Sequence, residues 1–318
     1  MKIAFMFPGQ GSQFVGMGKD IYEKYQEAKE VYEHASDILG IDVKKLCFES
    51  TEEELTKTEN TQIAIAVTSL AVLAVLKKNN INAEAAVGLS LGEYVALMYA
   101  NYITIEDGLK LLKKRGYFMG NYIPKEEFSM AAIIGLDSEI IENVCNEISE
   151  DNNFVAVANY NCKSQTVISG NSNAVDKAIE VLKEKGARKA VKLKTGGPFH
   201  TLKMEEARKL YSEELKNVNF NMENSKIKVI KNINGEFYNK DDNFKQVLSE
   251  HIVSPVRFDK AIELMKNNGI DTFIEIGPGK TMSGFVKKDL KDLDIKCYQT
   301  ENLEQLENTI CEIKNMEG

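Results

Sequence analysis

Between two apolar runs the chain reads Gly88-Leu89-Ser90-Leu91-Gly92, a serine framed by two glycines. A GxSxG segment that follows a strand and opens a helix forms a sharp, strained turn, and the small residues leave the serine hydroxyl exposed at its tip. Its flanks agree with that geometry. Ala85 to Leu89 reads as a short buried strand, and LGEYVALMYA after Ser90 returns to helical spacing. The pentapeptide alone leaves a structural turn and a nucleophile equally open, and the strand-turn-helix context favours the nucleophile.

The rest of the chain alternates strands and helices as an α/β protein does. Lys2 to Phe7 is an apolar run stopped by Pro8 and two glycines, which suits a buried strand and a tight loop. Helical patterns cover Lys19 to Leu39, Thr61 to Lys78 and Ile105 to Tyr122, the second mostly apolar as in a helix buried against a sheet. From about Ser129 to Lys194 the order becomes strand, helix, strand, strand, helix, strand, the βαββαβ order of a ferredoxin-like unit. Alternation then resumes, with strands at Lys226 to Ile233 and Thr272 to Ile276 and helical patterns at Phe244 to Ile252 and Ala261 to Lys266. A small domain at 128–195 inserted into a larger α/β domain, 1–127 and 196–318, accounts for this better than two domains in succession.

A serine hydroxyl needs a base, and imidazole suits best because its pKa lies near neutrality. The chain offers His34, His200 and His251. His34 lies in the charged helical segment KEVYEHASDIL and reads as an exposed, inert ring, whereas His200 ends the loop GGPFH where the insert returns to the main domain. Other chemistries fit less well. The five cysteines form an odd set with no CxxC spacing, which argues against a disulfide framework and a zinc knuckle. With 40 basic against 48 acidic residues the formal charge is -8, so general nucleic-acid affinity is not expected. The opening MKIAFMFPGQ is too short an apolar run for a signal peptide, and no uninterrupted apolar stretch nears the roughly 18 residues of a membrane span. A cytoplasmic protein is expected.

Six segments in order, FPGQGSQ (Phe7 to Gln13), GLSLGEY (Gly88 to Tyr94), RGYFM (Arg115 to Met119), GPFH (Gly197 to His200), SPVRF (Ser254 to Phe258) and EIGPGK (Glu275 to Lys280), carry a resemblance. The chain resembles the malonyl-CoA:acyl-carrier-protein transacylases and the acyltransferase domains of fatty-acid and polyketide synthases over nearly its whole length. That resemblance implies an α/β-hydrolase-like large domain with a ferredoxin-like insert and the site between them. It implies Ser90 as nucleophile, His200 as base, and the backbone N–H groups of Gln10 and Leu91 as the oxyanion hole. Arg115 is implied as the partner of the malonyl carboxylate, with Met119 and Phe199 shaping the acyl pocket and Phe199 disfavouring a substituent at the malonyl α-carbon. The main-chain carbonyl of residue 251 is implied to orient the base in place of a third carboxylate. Two positions depart from the family: Leu89 stands where a histidine is usual and His251 where a glutamine is usual.

The implied reaction moves malonyl from malonyl-CoA to the phosphopantetheine thiol of acyl carrier protein through a malonyl-serine, with no metal and no redox cofactor. The carrier belongs either to fatty-acid synthesis or to a polyketide system, and a Ser-His thioester hydrolase and a catalytically silent carrier-binding module are the competing readings. Lys287, Lys288, Arg188 and Lys189 supply either a basic rim for an acidic carrier or a plain solvated face. A monomer is expected.

Overall fold

The computed structural model describes residues 1–150, 153–194, 197–223 and 225–317. Ten strands are present among them: β1 (Ile3–Phe7), β2 (Ala85–Gly88), β3 (Phe128–Ile134), β4 (Val155–Cys162), β5 (Gln165–Asn171), β6 (Lys189–Lys192), β7 (Lys228–Val229), β8 (Val256–Arg257), β9 (Thr272–Glu275) and β10 (Lys296–Gln299). They make two five-stranded sheets, β10-β9-β1-β2-β7 and β6-β3-β5-β4-β8. The fold is mixed α/β.

The first sheet is parallel throughout, and β1 and β2 are wholly buried. That is why both strands read as unbroken apolar runs rather than alternating ones. The second sheet is antiparallel where β6, β3, β5 and β4 pair. Its fifth strand, β8, comes from far outside the 128–195 stretch and lies parallel to β4. Ala131 and Ile133 face the helices Ser138–Ile148 and Ser172–Glu184, while Met130 and Ala132 turn to the other face, toward the cleft.

Two sequence expectations change in the structure. The helix expected over Lys19 to Leu39 breaks at Tyr25, whose backbone is extended (φ -110°, ψ 129°), giving helices Lys19–Lys24 and Gln26–Leu39. The break lets Ile21 and Tyr32 both reach the core. The strand expected over Lys226 to Ile233 pairs with β2 only at Lys228–Val229; beyond Ile230 the chain leaves the sheet, because Asn232 is drawn to the serine turn by side-chain hydrogen bonds. The helix Thr58–Lys78 does meet the length and composition of a membrane span. Every residue from Thr61 to Leu73 is nevertheless buried inside the molecule, so this is a core helix.

All five cysteines are free. Burial pushes the Cys47 and Cys145 thiols up to about 12, which leaves them protonated and inert.

Candidate active site

At the end of β2 the chain turns within four residues into the helix Gly92–Tyr99. Ser90 sits at the apex with φ 56°, in the left-handed region that a residue with a Cβ enters at a cost of about 1 to 3 kcal/mol. Close approach explains the framing glycines. A Cβ on Gly88 would stand 1.8 Å from the Gly92 carbonyl carbon, and one on Gly92 would stand 2.2 Å from the Phe7 oxygen. Both obstacles are backbone. Gly88→Ala is therefore expected to destabilise the fold by roughly 3 kcal/mol or more, which thermal unfolding would register as a melting point lower by about 6 °C or more.

His200 also has a positive φ, 60°, and this posture aims its ring at the serine. Its Nε2 lies 2.8 Å from Ser90 Oγ, and its Nδ1 lies 2.9 Å from the main-chain oxygen of His251. A carbonyl only accepts, so it fixes the tautomer: Nδ1 carries the proton and Nε2 presents a lone pair to the hydroxyl. Burial first, then the neighbouring His251 ring and the Arg115 guanidinium, hold the His200 pKa well below its usual value. Burial also lowers that of His251, against an opposing pull from Glu93. Both rings are thus neutral in the fold, while in the unfolded chain they take up protons below about pH 6.5. The unfolded state then binds more protons, so stability falls as pH drops through that range, by about 1.4 kcal/mol per unit for each ring. Urea midpoints at pH 7.5 and 5.5 would show the loss, and equal midpoints would contradict it.

Arg115, on the helix Ile105–Asn121, is fully buried. Its Nη2 donates to Ser90 Oγ at 3.1 Å and its Nη1 to Gln62 Oε1 at 2.9 Å, with the Tyr94 ring 5.6 Å from its centre. Gln62 in turn donates to the Met119 sulfur at 3.7 Å. Arg115 Nε has no partner among the described residues. A buried cation touching the serine hydroxyl suits an anionic substituent on a group bound there.

A cleft of about 230 Å³ opens over this group, with Ser90 and His200 at its floor and Gln10, Leu91, Met119 and Phe199 among its walls. Gln10 belongs to the loop after β1, which presses so closely on the turn that a Cβ on Gly9 would stand 2.6 Å from the Leu89 oxygen. Neither the Gln10 nor the Leu91 backbone N–H donates to an acceptor among the described residues. Two free donors beside the hydroxyl can stabilise an oxyanion.

Residues 4–306 match the family model described as the acyl transferase domain. The chain belongs to the acyl transferase family. It is 43% identical to a malonyl CoA-acyl carrier protein transacylase of Bacillus subtilis over 90% of each chain. The crystal structure of such a transacylase from Clostridium perfringens superimposes with a TM-score of 0.94 at 42% identity, covering 100% of this chain and 98% of that one. A malonyl-transacylase in complex with a type II PKS acyl-carrier protein gives 0.92 at 29% identity, covering 98% of this chain and 100% of that one.

Within this acyl transferase the site contains groups that sequence reasoning missed. Asn232 brackets the turn: Oδ1 accepts from the Ser90 N–H at 2.8 Å and Nδ2 donates to the Gly88 carbonyl at 2.7 Å. Its position inside an apparent strand hid it, and the one signal was the Asn-Ile-Asn-Gly run that ends that strand. Gln62 and Glu93 were hidden in helical patterns. Leu89 lines the cleft and packs toward the apolar cluster that holds Phe285 and Met282. Lys287 and Lys288 lie exposed in the last turn of the helix Thr281–Asp289, whose first residues line the cleft. Arg188 and Lys189 lie exposed at the start of β6, and none of the four is part of the cleft wall.

Proposed function

We propose that this acyl transferase carries malonyl from malonyl-CoA to the phosphopantetheine thiol of an acyl carrier protein, supplying fatty-acid synthesis. The observation that carries the reading is the fully buried Arg115 guanidinium 3.1 Å from the Ser90 hydroxyl. A cation at that place pairs with the free carboxylate of a malonyl group and has nothing to pair with in acetyl.

In the forward half-reaction Ser90 Oγ attacks the thioester carbonyl while its proton passes to His200 Nε2. Negative charge develops on the carbonyl oxygen, and the Gln10 and Leu91 N–H groups stabilise it; losing one such donor costs about 3 to 4 kcal/mol in related chemistry. The carbon–sulfur bond then breaks, His200 returns the proton to the leaving CoA sulfur, and malonyl remains as an ester on Ser90. The carrier thiol repeats the sequence in reverse, giving up its proton to His200 as its sulfur takes the acyl group. Met119 and Phe199 bound the acyl pocket, and the His251 carbonyl holds the base in place of a carboxylate. Lys287, Lys288, Arg188 and Lys189 are assigned to the docking of an acidic carrier. The reaction as written needs neither metal nor redox cofactor.

The architecture is assigned as an α/β-hydrolase-like part, 1–127 and 196–318, with a ferredoxin-like insert, 128–195. The antiparallel order β6-β3-β5-β4 supports the insert, since a βαββαβ unit places its fourth, first, third and second strands in that succession. The junction at residues 195 and 196 lies outside the described residues.

Intact-mass spectrometry tests the reaction, using the protein and its Ser90→Ala variant with malonyl-CoA or acetyl-CoA, then holo carrier protein. The expected result is a malonyl adduct that requires Ser90 and discharges onto the carrier thiol. Discharge only as free malonate makes the protein a thioester hydrolase, and no adduct with either thioester removes the reading.

A further inference from the structure

Three polar atoms buried beside the catalytic pair have no hydrogen-bond partner among the described residues: Oε2 of Glu93 and both ring nitrogens of His251. Each such atom ordinarily costs about 1 to 3 kcal/mol, so three together call for a reason. They are neighbours. His251 Nδ1 stands 3.0 Å from Glu93 Oε2 with both side chains fully buried. The approach falls outside hydrogen-bond angles, so what acts between the two groups is electrostatic.

The pair touches both halves of the catalytic machinery. On one side the His251 ring stacks on the His200 ring, centroids 5.0 Å apart and planes 26° apart. On the other side Glu93 Oε1 accepts from the Tyr238 hydroxyl at 2.7 Å and from the Asn232 main-chain N–H at 3.3 Å. Asn232 is the residue whose side chain brackets Gly88 and Ser90. One carboxylate in the first turn after the nucleophile therefore reaches the bracket of the serine and the ring lying on the base.

Charge gives this arrangement a use. When His200 takes the serine proton it becomes an imidazolium whose Nδ1 meets only a neutral carbonyl. The charged and titratable groups around it are Arg115 from the helix Ile105–Asn121, His251 after the helix Phe244–Glu250, and Glu93 and Tyr94 from the helix Gly92–Tyr99, with Tyr211 and Tyr238 behind them. Arg115 opposes the new cation, and Glu93 is the one carboxylate of the set. The geometry points to Glu93 as the positioning residue of the Ser90–His200 pair: it holds Asn232 against the serine turn and, through an Nδ1-protonated His251, sets a negative charge behind the imidazolium.

The inference rests on the acyl-serine reading above, and the test separates the two. Phenylmethanesulfonyl fluoride needs only an activated serine: an Oγ–sulfur bond forms, the sulfur–fluorine bond breaks, and His200 takes the hydroxyl proton as fluoride leaves. Its inactivation rate against pH therefore reads the pair whatever acyl donor the protein uses, while single-turnover release of CoA from malonyl-CoA reads the acyl-serine step. Glu93→Gln is near-isosteric and keeps an acceptor for Tyr238 and Asn232. The expected result is a plateau lower by about ten- to a hundredfold, with the acid limb moved to lower pH, because His200 protonates less readily once the charge is gone. Glu93→Asp, which keeps the charge, should leave the limb in place. An acid limb unmoved in Glu93→Gln, with or without a lower plateau, overturns the inference. Nitrogen-15 spectra of histidine-labelled wild-type protein need no variant at all. They should show His251 as the neutral Nδ1–H tautomer, and the Nε2–H tautomer would refute the link to Glu93.

Discussion

Malonyl-serine formation in His200→Ala is expected to fall by on the order of ten-thousandfold to a millionfold, as when the base is removed from other Ser–His pairs. In the structure His200 Nε2 is 2.8 Å from the hydroxyl and holds a lone pair toward it, and neither of the other two histidines hydrogen-bonds to Ser90 Oγ. The proposed oxyanion donors, the N–H groups of Gln10 and Leu91, belong to the main chain and survive the substitution, so a residual rate above that of free solution is expected. Rapid-quench measurement of CoA release in a single turnover would give the number. A loss smaller than about a hundredfold would mean that the hydroxyl is activated by another group, the Arg115 contact at 3.1 Å being the one to examine. The wild-type rate should hold level as pH falls from 8 through 6.5, because burial keeps His200 neutral over that span.

Arg115→Ala should change which acyl group is transferred. Truncating one partner of a buried charge pair typically costs 2 to 5 kcal/mol, so malonyl transfer should drop roughly a hundredfold or more, while acetyl transfer, with no carboxylate to pair, should stay near its wild-type rate. The malonyl-enzyme that does form should hydrolyse faster, since the carboxylate no longer anchors the ester in the cleft. Rates for malonyl-CoA and acetyl-CoA measured side by side give the ratio, and unchanged malonyl transfer would remove Arg115 from substrate recognition. Arg115→Lys is not a conservative change here. A lysine lacks the fork with which Arg115 serves Gln62 and Ser90 together.

How much of this was legible beforehand follows from the range of the forces involved. Glycines 88 and 92 announced the serine turn because they answer to backbone contacts a few ångströms away, 1.8 Å and 2.2 Å from where a Cβ would stand. The buried strands β1 and β2 showed as unbroken apolar runs for a similar reason, since a strand covered on both faces has no polar side to display. Ser90 and His200 could be paired from the residues only by chemical type and the order of motifs. Their 2.8 Å contact spans 110 residues of chain and exists because both sit at left-handed turns facing one cleft.

Asn232 illustrates what sequence reading could not reach. An asparagine inside an apolar stretch reads as a strand residue, and only the approach of that segment to Gly88 and Ser90, 144 and 142 positions earlier, turns it into a bracket. Glu93 likewise looks like an ordinary charge in the first turn of a helix, yet the fold buries it completely between Asn232, Tyr238 and His251. By itself the sequence determined the α/β character, the serine turn and the types of side chain available for chemistry, because those show as periodicity and as glycines where a Cβ has no room. The tertiary structure alone decided which carbonyl meets His200 Nδ1, which groups bracket Ser90 and which cation touches its hydroxyl. Those relations are distances between remote segments, and they become definite only when the packing of two sheets and their helices brings the segments together.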